Sequence, residues 1–128
     1  MINVLIAEDE DLLQKAFRAK FEGAGYAVTV VGDGEAALYR IRTARPDILL
    51  LDIRMPKKDG FQVLTEMKQD PELATIPVFI LSNLSQDPDV ETGLKLGAVD
   101  YIIKSDFSIT DVVRKVGEHL RGQNHGTH

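Results

Sequence analysis

Five side chains are able to do chemistry together: Glu8, Asp9, Asp52, Ser82 and Lys104. Three are carboxylates, one is a hydroxyl and one is an ammonium. Carboxylates held close together repel, and a counter-ion or a proton must relieve them. A hard divalent cation is the natural counter-ion. Mg2+ takes oxygen ligands, is often held by one or two carboxylates, and keeps positions open for a phosphoryl oxygen. Ser82 could donate a hydrogen bond to a second phosphoryl oxygen, and Lys104 could face a third as a point charge. Asp52 itself is a competent nucleophile, because carboxylates form aspartyl phosphates. The set suits in-line phosphoryl transfer, where positioning and charge neutralisation supply most of the catalysis.

Such a cluster needs a scaffold that gathers distant residues. Short apolar, β-branched runs at 2–7, 26–31, 48–52, 78–81 and 101–103 read as strands. Between them, apolar residues recur at helical spacing. Leu13, Phe17 and Phe21, with Leu12 and Ala16 beside them, mark a first helix that Gly23 and Gly25 stop. Ala37, Leu38 and Ile41 mark a second, Phe61, Leu64 and Met67 a third, and Val90 and Leu94 a fourth closed by Gly97. Ser108 and Asp111 cap a last helix whose buried face is Val112, Val113, Val116 and Leu120. Strand–helix alternation of this kind implies a doubly wound α/β fold with a parallel sheet. All strand C-termini then share one edge, where open parallel sheets bind ligands. That edge collects Glu8 and Asp9 after the first strand, Asp52 at the third, Ser82 after the fourth and Lys104 after the fifth. The second strand ends in glycines, which add no chemistry.

Composition narrows the alternatives. The 128 residues suit one domain, expected over 1–121 with a polar, flexible tail at 122–128. With 20 acids against 15 lysines and arginines the net charge is −5, and no basic stripe exists, so direct nucleic-acid binding is not expected. The absence of cysteine removes disulfides, thiolate metal sites and a thiol nucleophile. No apolar stretch approaches the ~20 residues of a membrane span, and the N-terminus lacks the pattern of a signal peptide. A cytoplasmic protein without membrane contact is the expectation. His119, His125 and His128 fall late in the chain, read as tail-bound, and are given no metal or catalytic role.

With these residues in order, the sequence resembles the CheY-like receiver domains of two-component response regulators, in the stand-alone, single-domain form. The resemblance rests on Val4-Leu5-Ile6-Ala7-Glu8-Asp9, on Asp52-x-x-Met55-Pro56-x-x-Asp59-Gly60, on Ser82, on Gly97-Ala98-x-Asp100-Tyr101, and on Lys104. It implies a (βα)5 flavodoxin-like fold with strand order 2-1-3-4-5. It implies Asp52 as phosphoacceptor, with Ser82 and Lys104 on the phosphoryl group. Asp9 and Asp52 would ligate Mg2+ (Mn2+ as the alternative ion), with Glu8 acting through water and Arg54 through its backbone carbonyl. Tyr101 would be an aromatic switch moving with Ser82. The donor would be a sensor histidine kinase or histidine phosphotransfer domain. A downstream protein would read the face made by the fourth helix, fifth strand and fifth helix, with the chain a monomer or a phosphorylation-dependent dimer.

The sequence departs from the family pattern at three points. Ser105 stands where proline usually follows the lysine through a cis bond. A cis non-proline bond costs about 3–4 kcal/mol, so either a trans bond with a reshaped loop or a strained cis bond is expected. Glu8 replaces the commoner aspartate, and Asn83 follows Ser82 where a smaller residue is usual. Taken singly, Glu8 to Asp11 could be a solvated helix start, Ser82 a turn hydroxyl, Lys104 a surface lysine and Tyr101 simple sheet packing. Asp59-Gly60 reads as a turn with a helix cap, and Lys57-Lys58 as a solvated basic lip. Three other functions compete. An aspartate-nucleophile phosphohydrolase would want an acid two residues after the nucleophile, where Arg54 stands. An FMN carrier would want a hydroxyl-rich loop where Glu8 to Asp11 stand. A non-switching interaction scaffold would not need the acids, Ser82 and Lys104 together.

Overall fold

Strand runs that are apolar at successive positions must be covered on both faces. The computed structural model, which describes residues 1–83 and 87–125, shows how this is done. Strands β1 (Asn3–Ala7), β2 (Ala27–Val31), β3 (Ile48–Asp52), β4 (Val78–Ser82) and β5 (Asp100–Ile103) form one parallel sheet in the order β2-β1-β3-β4-β5. Among the described residues the α-helices are α1 (Asp11–Gly23), α2 (Gly34–Thr43), α3 (Gly60–Gln69), α4 (Asp87–Lys95) and α5 (Ile109–His125). This is the expected doubly wound order.

Alternate strand residues feed two separate cores. Leu5, Ala7, Leu49, Leu51, Val78, Ile80 and Tyr101 pack with α2 and α3, and Val90 of α4 joins them. Val4, Ile6, Ile48, Leu50, Phe79, Leu81 and Ile102 pack with Phe17 and Phe21 of α1 and Val112, Val116 and Leu120 of α5. β3 sits at the centre, buried along its whole length, and β2 lies half-buried at an edge.

The helix starts are fixed by side chains. Asp59 Oδ1 accepts the Gln62 N–H at 2.9 Å, and Gln62 Oε1 accepts the Asp59 N–H at 2.9 Å, a reciprocal capping box for α3. Ser108 and Asp111 make the same exchange at the start of α5, both bonds at 3.1 Å. Asp33 Oδ1 caps α2 through the Ala36 N–H at 2.7 Å.

Three side-chain expectations are corrected. Leu12 is 81% exposed, because five positions of helix rotation turn it well away from Phe17. Leu94 is 46% exposed, and the inward position of α4 beside it is Gly93. His119 is not tail-bound. Its ring packs edge-on to Phe79, 5.6 Å between centroids. The polar segment expected to begin a tail at Gly122 continues α5 to His125, and residues 126–128 lie outside those described.

The Asp59 cap yields a measurable stability term. Asp59→Ala should lower the free energy of unfolding by about 1 kcal/mol in urea titrations, with little change in the slope against denaturant.

Candidate functional site

The register brings the strand ends level: Asp52 lies opposite Leu81 and Ser82 opposite Ile103. Four of the five predicted side chains are largely withdrawn from solvent. Glu8 is 1% exposed, Ser82 1% and Asp52 6%, and the Lys104 side chain is 11% exposed. Asp9 remains exposed at the rim. Lys104 Nζ donates to Glu8 Oε1 at 2.6 Å and to Asp52 Oδ2 at 3.1 Å, so one ammonium joins the ends of β1, β3 and β5. Glu8 is held from its other side, where Oε2 accepts the Glu10 N–H at 3.1 Å. The Gln14 side chain donates to its backbone carbonyl.

Carboxylate oxygens of Glu8, Asp9 and Asp52 all lie within 4.8 Å of one another. Asp9 and Asp52 border a cleft of about 340 Å³ that Ser82 and Lys104 also line, with Glu10, Arg54 and Asn83 exposed around it. Burial pushes the Asp52 carboxyl up to about 6. The Lys104 charge and hydrogen bond oppose this, and the Glu8 charge adds to it. Burial pulls the Lys104 ammonium down, but its bonds to Glu8 and Asp52 outweigh that and raise it.

Tyr101 is 8% exposed, and its hydroxyl is hydrogen-bonded to the Ser82 side chain. Burial raises the phenol above its ordinary range, the Ser82 bond pulls it back, and the charges of Asp89 and Asp52 raise it further. The peptide between Lys104 and Ser105 is trans, and Lys104–Asp106 form a single 3-10 turn. Of the two geometries expected after Lys104, the reshaped trans loop is the one found.

The β3–α3 loop depends on glycines whose part the sequence reading missed. A Cβ on Gly60 would collide with the Asp52 carbonyl oxygen, and one on Gly34 would collide with the Lys58 carbonyl. The Gly60 N–H donates to Ile53 O at 2.7 Å and the Gly34 N–H to Pro56 O at 3.3 Å. Lys57 takes a positive φ of 71°, unusual for a residue with a side chain. The basic lip is only half solvated: Lys57 is exposed, but Lys58 is half-buried and pairs with Glu66 at 2.5 Å.

Doubly wound sheets with an acid-lined carboxyl edge form a recognisable structural class. Within it, this chain belongs to one family: the response regulator receiver domain, whose family model matches residues 4–116. The chain is 37% identical over 121 residues to the probable transcriptional regulator ycf27 of Guillardia theta, covering 94% of this chain and 46% of that protein. It spans about half the length, or less, of other curated relatives as well. The structure of the Francisella response regulator 1452 receiver domain superposes with a TM-score of 0.84 at 34% identity, covering 91% of this chain and 94% of that one. The receiver domain of the Pseudomonas aeruginosa sensor histidine kinase PA1611, solved with a magnesium ion coordinated in its active-site cleft, gives 0.82 at 28% identity, covering 91% and 95%.

The raised Asp52 pKa sets a stability prediction. The folded state prefers the protonated carboxyl, so the stability this group contributes is fully present below pH 3.8 and is lost as pH rises through about 6. A displacement from 3.8 to about 6 corresponds to about 3 kcal/mol between the two protonation states. Asp52→Asn, which stays neutral, should therefore stabilise the chain by about 1–3 kcal/mol at pH 7.5 in chelator. The gain should shrink to well under about 1 kcal/mol by pH 4, as read in urea titrations at both pH values.

Proposed function

We propose that the chain is a phosphoacceptor switch in which Asp52 takes a phosphoryl group from a phosphohistidine. The observation that carries this reading is the Lys104 bridge to Glu8 and Asp52 beside three mutually close carboxylates. Membership of the receiver family supports it. Receiver domains take their phosphoryl group from histidine kinases and act on downstream proteins. For this chain the donor is a histidine kinase or phosphotransfer domain.

The all-oxygen donor set fits a hard divalent ion, Mg2+ or Mn2+. Asp9 and Asp52 would hold it directly, Glu8 through water, and the Arg54 backbone carbonyl would complete the protein ligands. When bound, the ion supplies neutralisation of the acids and of the phosphoryl oxygens. The remaining work falls to side chains. Asp52 is mostly ionised above pH 6, and one carboxylate oxygen attacks phosphorus in line with the P–N bond. That bond breaks with its electron pair left on the imidazole nitrogen. Lys104 stays protonated, since its ion pairs raise its pKa, and it faces a phosphoryl oxygen as a fixed charge. Ser82 donates to another. Position 54, where a phosphohydrolase would want an acid to protonate the leaving group, holds arginine, which disfavours that reading. The added charge of roughly −1.5 to −2 is then felt at Ser82 and Tyr101, and through them on the face formed by α4, β5 and α5.

The test is acyl-phosphate labelling with and without Mg2+. Labelling should require the ion, disappear with EDTA and fail in Asp52→Asn. Lys104→Ala should slow it about a hundredfold, by analogy with loss of one transition-state donor. Labelling of Asp52→Asn, or labelling indifferent to chelator, would refute the assignment.

A further inference from the structure

We infer that Gly93 is a positioning residue: it provides the space in which the Tyr101 ring lies buried against Ser82, and so sets how readily that ring occupies its inward position. The inference rests on the switch reading of Tyr101 given above.

α4 lies against the sheet over Ile80 and Tyr101, which are register partners on β4 and β5 and belong to the same core. The buried position that α4 turns toward them is Gly93. A Cβ there would sit 2.6 Å from Ile80 Cδ1 and 2.9 Å from Tyr101 Cδ2, with Tyr101 Cε2 at 3.3 Å. Real Cβ atoms do not approach carbon that closely, so the end of the Ile80 side chain and the edge of the Tyr101 ring would both have to yield.

The backbone gives no other reason for glycine at this position. Among the described residues, the glycines with positive φ are Gly25 and Gly97, so Gly93 has a conformation any residue could adopt. Glycine inside a helix also lowers helix stability relative to alanine. What Gly93 contributes is room, and the room is filled by the tip of Ile80 and the edge of the Tyr101 ring. That ring carries the hydroxyl bonded to Ser82, whose own side chain borders the acid cleft. Residue 93 therefore acts on the site through Tyr101. A methyl at 93 closes the inward position and favours an outward ring on the α4–β5–α5 face, while Asp52, Lys104 and the carboxylates are untouched.

The experiment uses the full chain labelled with 3-fluorotyrosine, with the Tyr101 fluorine resonance assigned by Tyr101→Phe. Mg2+ and beryllofluoride are added, and protection from a soluble gadolinium chelate is compared among the unsubstituted chain, Gly93→Ala, and Ile80→Val/Gly93→Ala. The double variant removes the Cδ1 contact, which keeps the fold accessible and leaves the tyrosine contact as the one to be relieved. Unchanged Tyr26 and Tyr39 resonances report that the chain is folded. The expected result is a protected Tyr101 in the unsubstituted chain and an exposed Tyr101 in both variants, with acyl-phosphate labelling of Asp52 retained in all three. Equal protection of Tyr101 in the folded double variant would overturn the role of Gly93. Failure of the unsubstituted chain to label at Asp52 would instead overturn the phosphoacceptor reading, and the protection data would still decide the role of Gly93.

Discussion

One ammonium compensates two carboxylates that water barely reaches. Glu8 is 1% exposed and Asp52 6%, and both depend on Lys104 for a counter-charge. Breaking a buried pair by removing one partner typically costs about 3–5 kcal/mol, because the other charge is left uncompensated. The sheet order makes the bridge necessary as well as available. β1 and β3 are neighbours, so their terminal acids are forced together, and β5 lies two strands from β3 across β4. Lys104 spans that interval from the end of β5. The fold thus gathers charges that no single strand could tolerate, and the same crowding fits the edge to a phosphoryl group.

The bridge also shapes its surroundings. Burial and the Glu8 charge hold the Asp52 carboxyl near the bottom of the neutral range against the pull of Lys104. Asp52 is therefore ionised at neutral pH but not comfortably so. A partner that brings positive charge to the cleft relieves strain the folded chain already carries. Glu8 has a longer side chain than the aspartate usual at its position. It uses that length to reach Lys104 at 2.6 Å while its other oxygen accepts the Glu10 N–H.

Much of this was legible in the sequence, because the strand runs and their terminal residues are strong, local signals. The parallel sheet, the convergence of Glu8, Asp9, Asp52, Ser82 and Lys104, and the caps at Asp59 and Ser108 all follow from hydrophobic periodicity and side-chain type, whereas the order of the strands was implied by the family resemblance. The failures share a cause. Apolar spacing predicted Leu12 and Leu94 inside, yet both are exposed. In α4 the inward position is a glycine, which carries no hydrophobic signal. Gly34 and Gly60 were likewise invisible as packing residues, since what matters is the atom they lack and the backbone that approaches from elsewhere. The loop after Lys104 was ambiguous because a single peptide bond had two admissible geometries, and only the three-dimensional path distinguishes them.

The close approach of Gly60 to the Asp52 carbonyl and of Gly34 to Lys58 has a mechanical consequence. On that side of the sheet, backbone rests on backbone, with α2 against the loop and the first residue of α3 against the strand end that carries Asp52. Contacts of that kind cannot slide by rotating a side chain. Across β4 the corresponding contact is a glycine against an aromatic ring, which moves by turning about one bond. The molecule is therefore stiff on one flank of the Asp52 carboxylate and compliant on the other. A disturbance at Asp52 therefore meets less resistance toward α4, where a side chain can turn, than toward α2 and α3, where backbone is wedged against backbone.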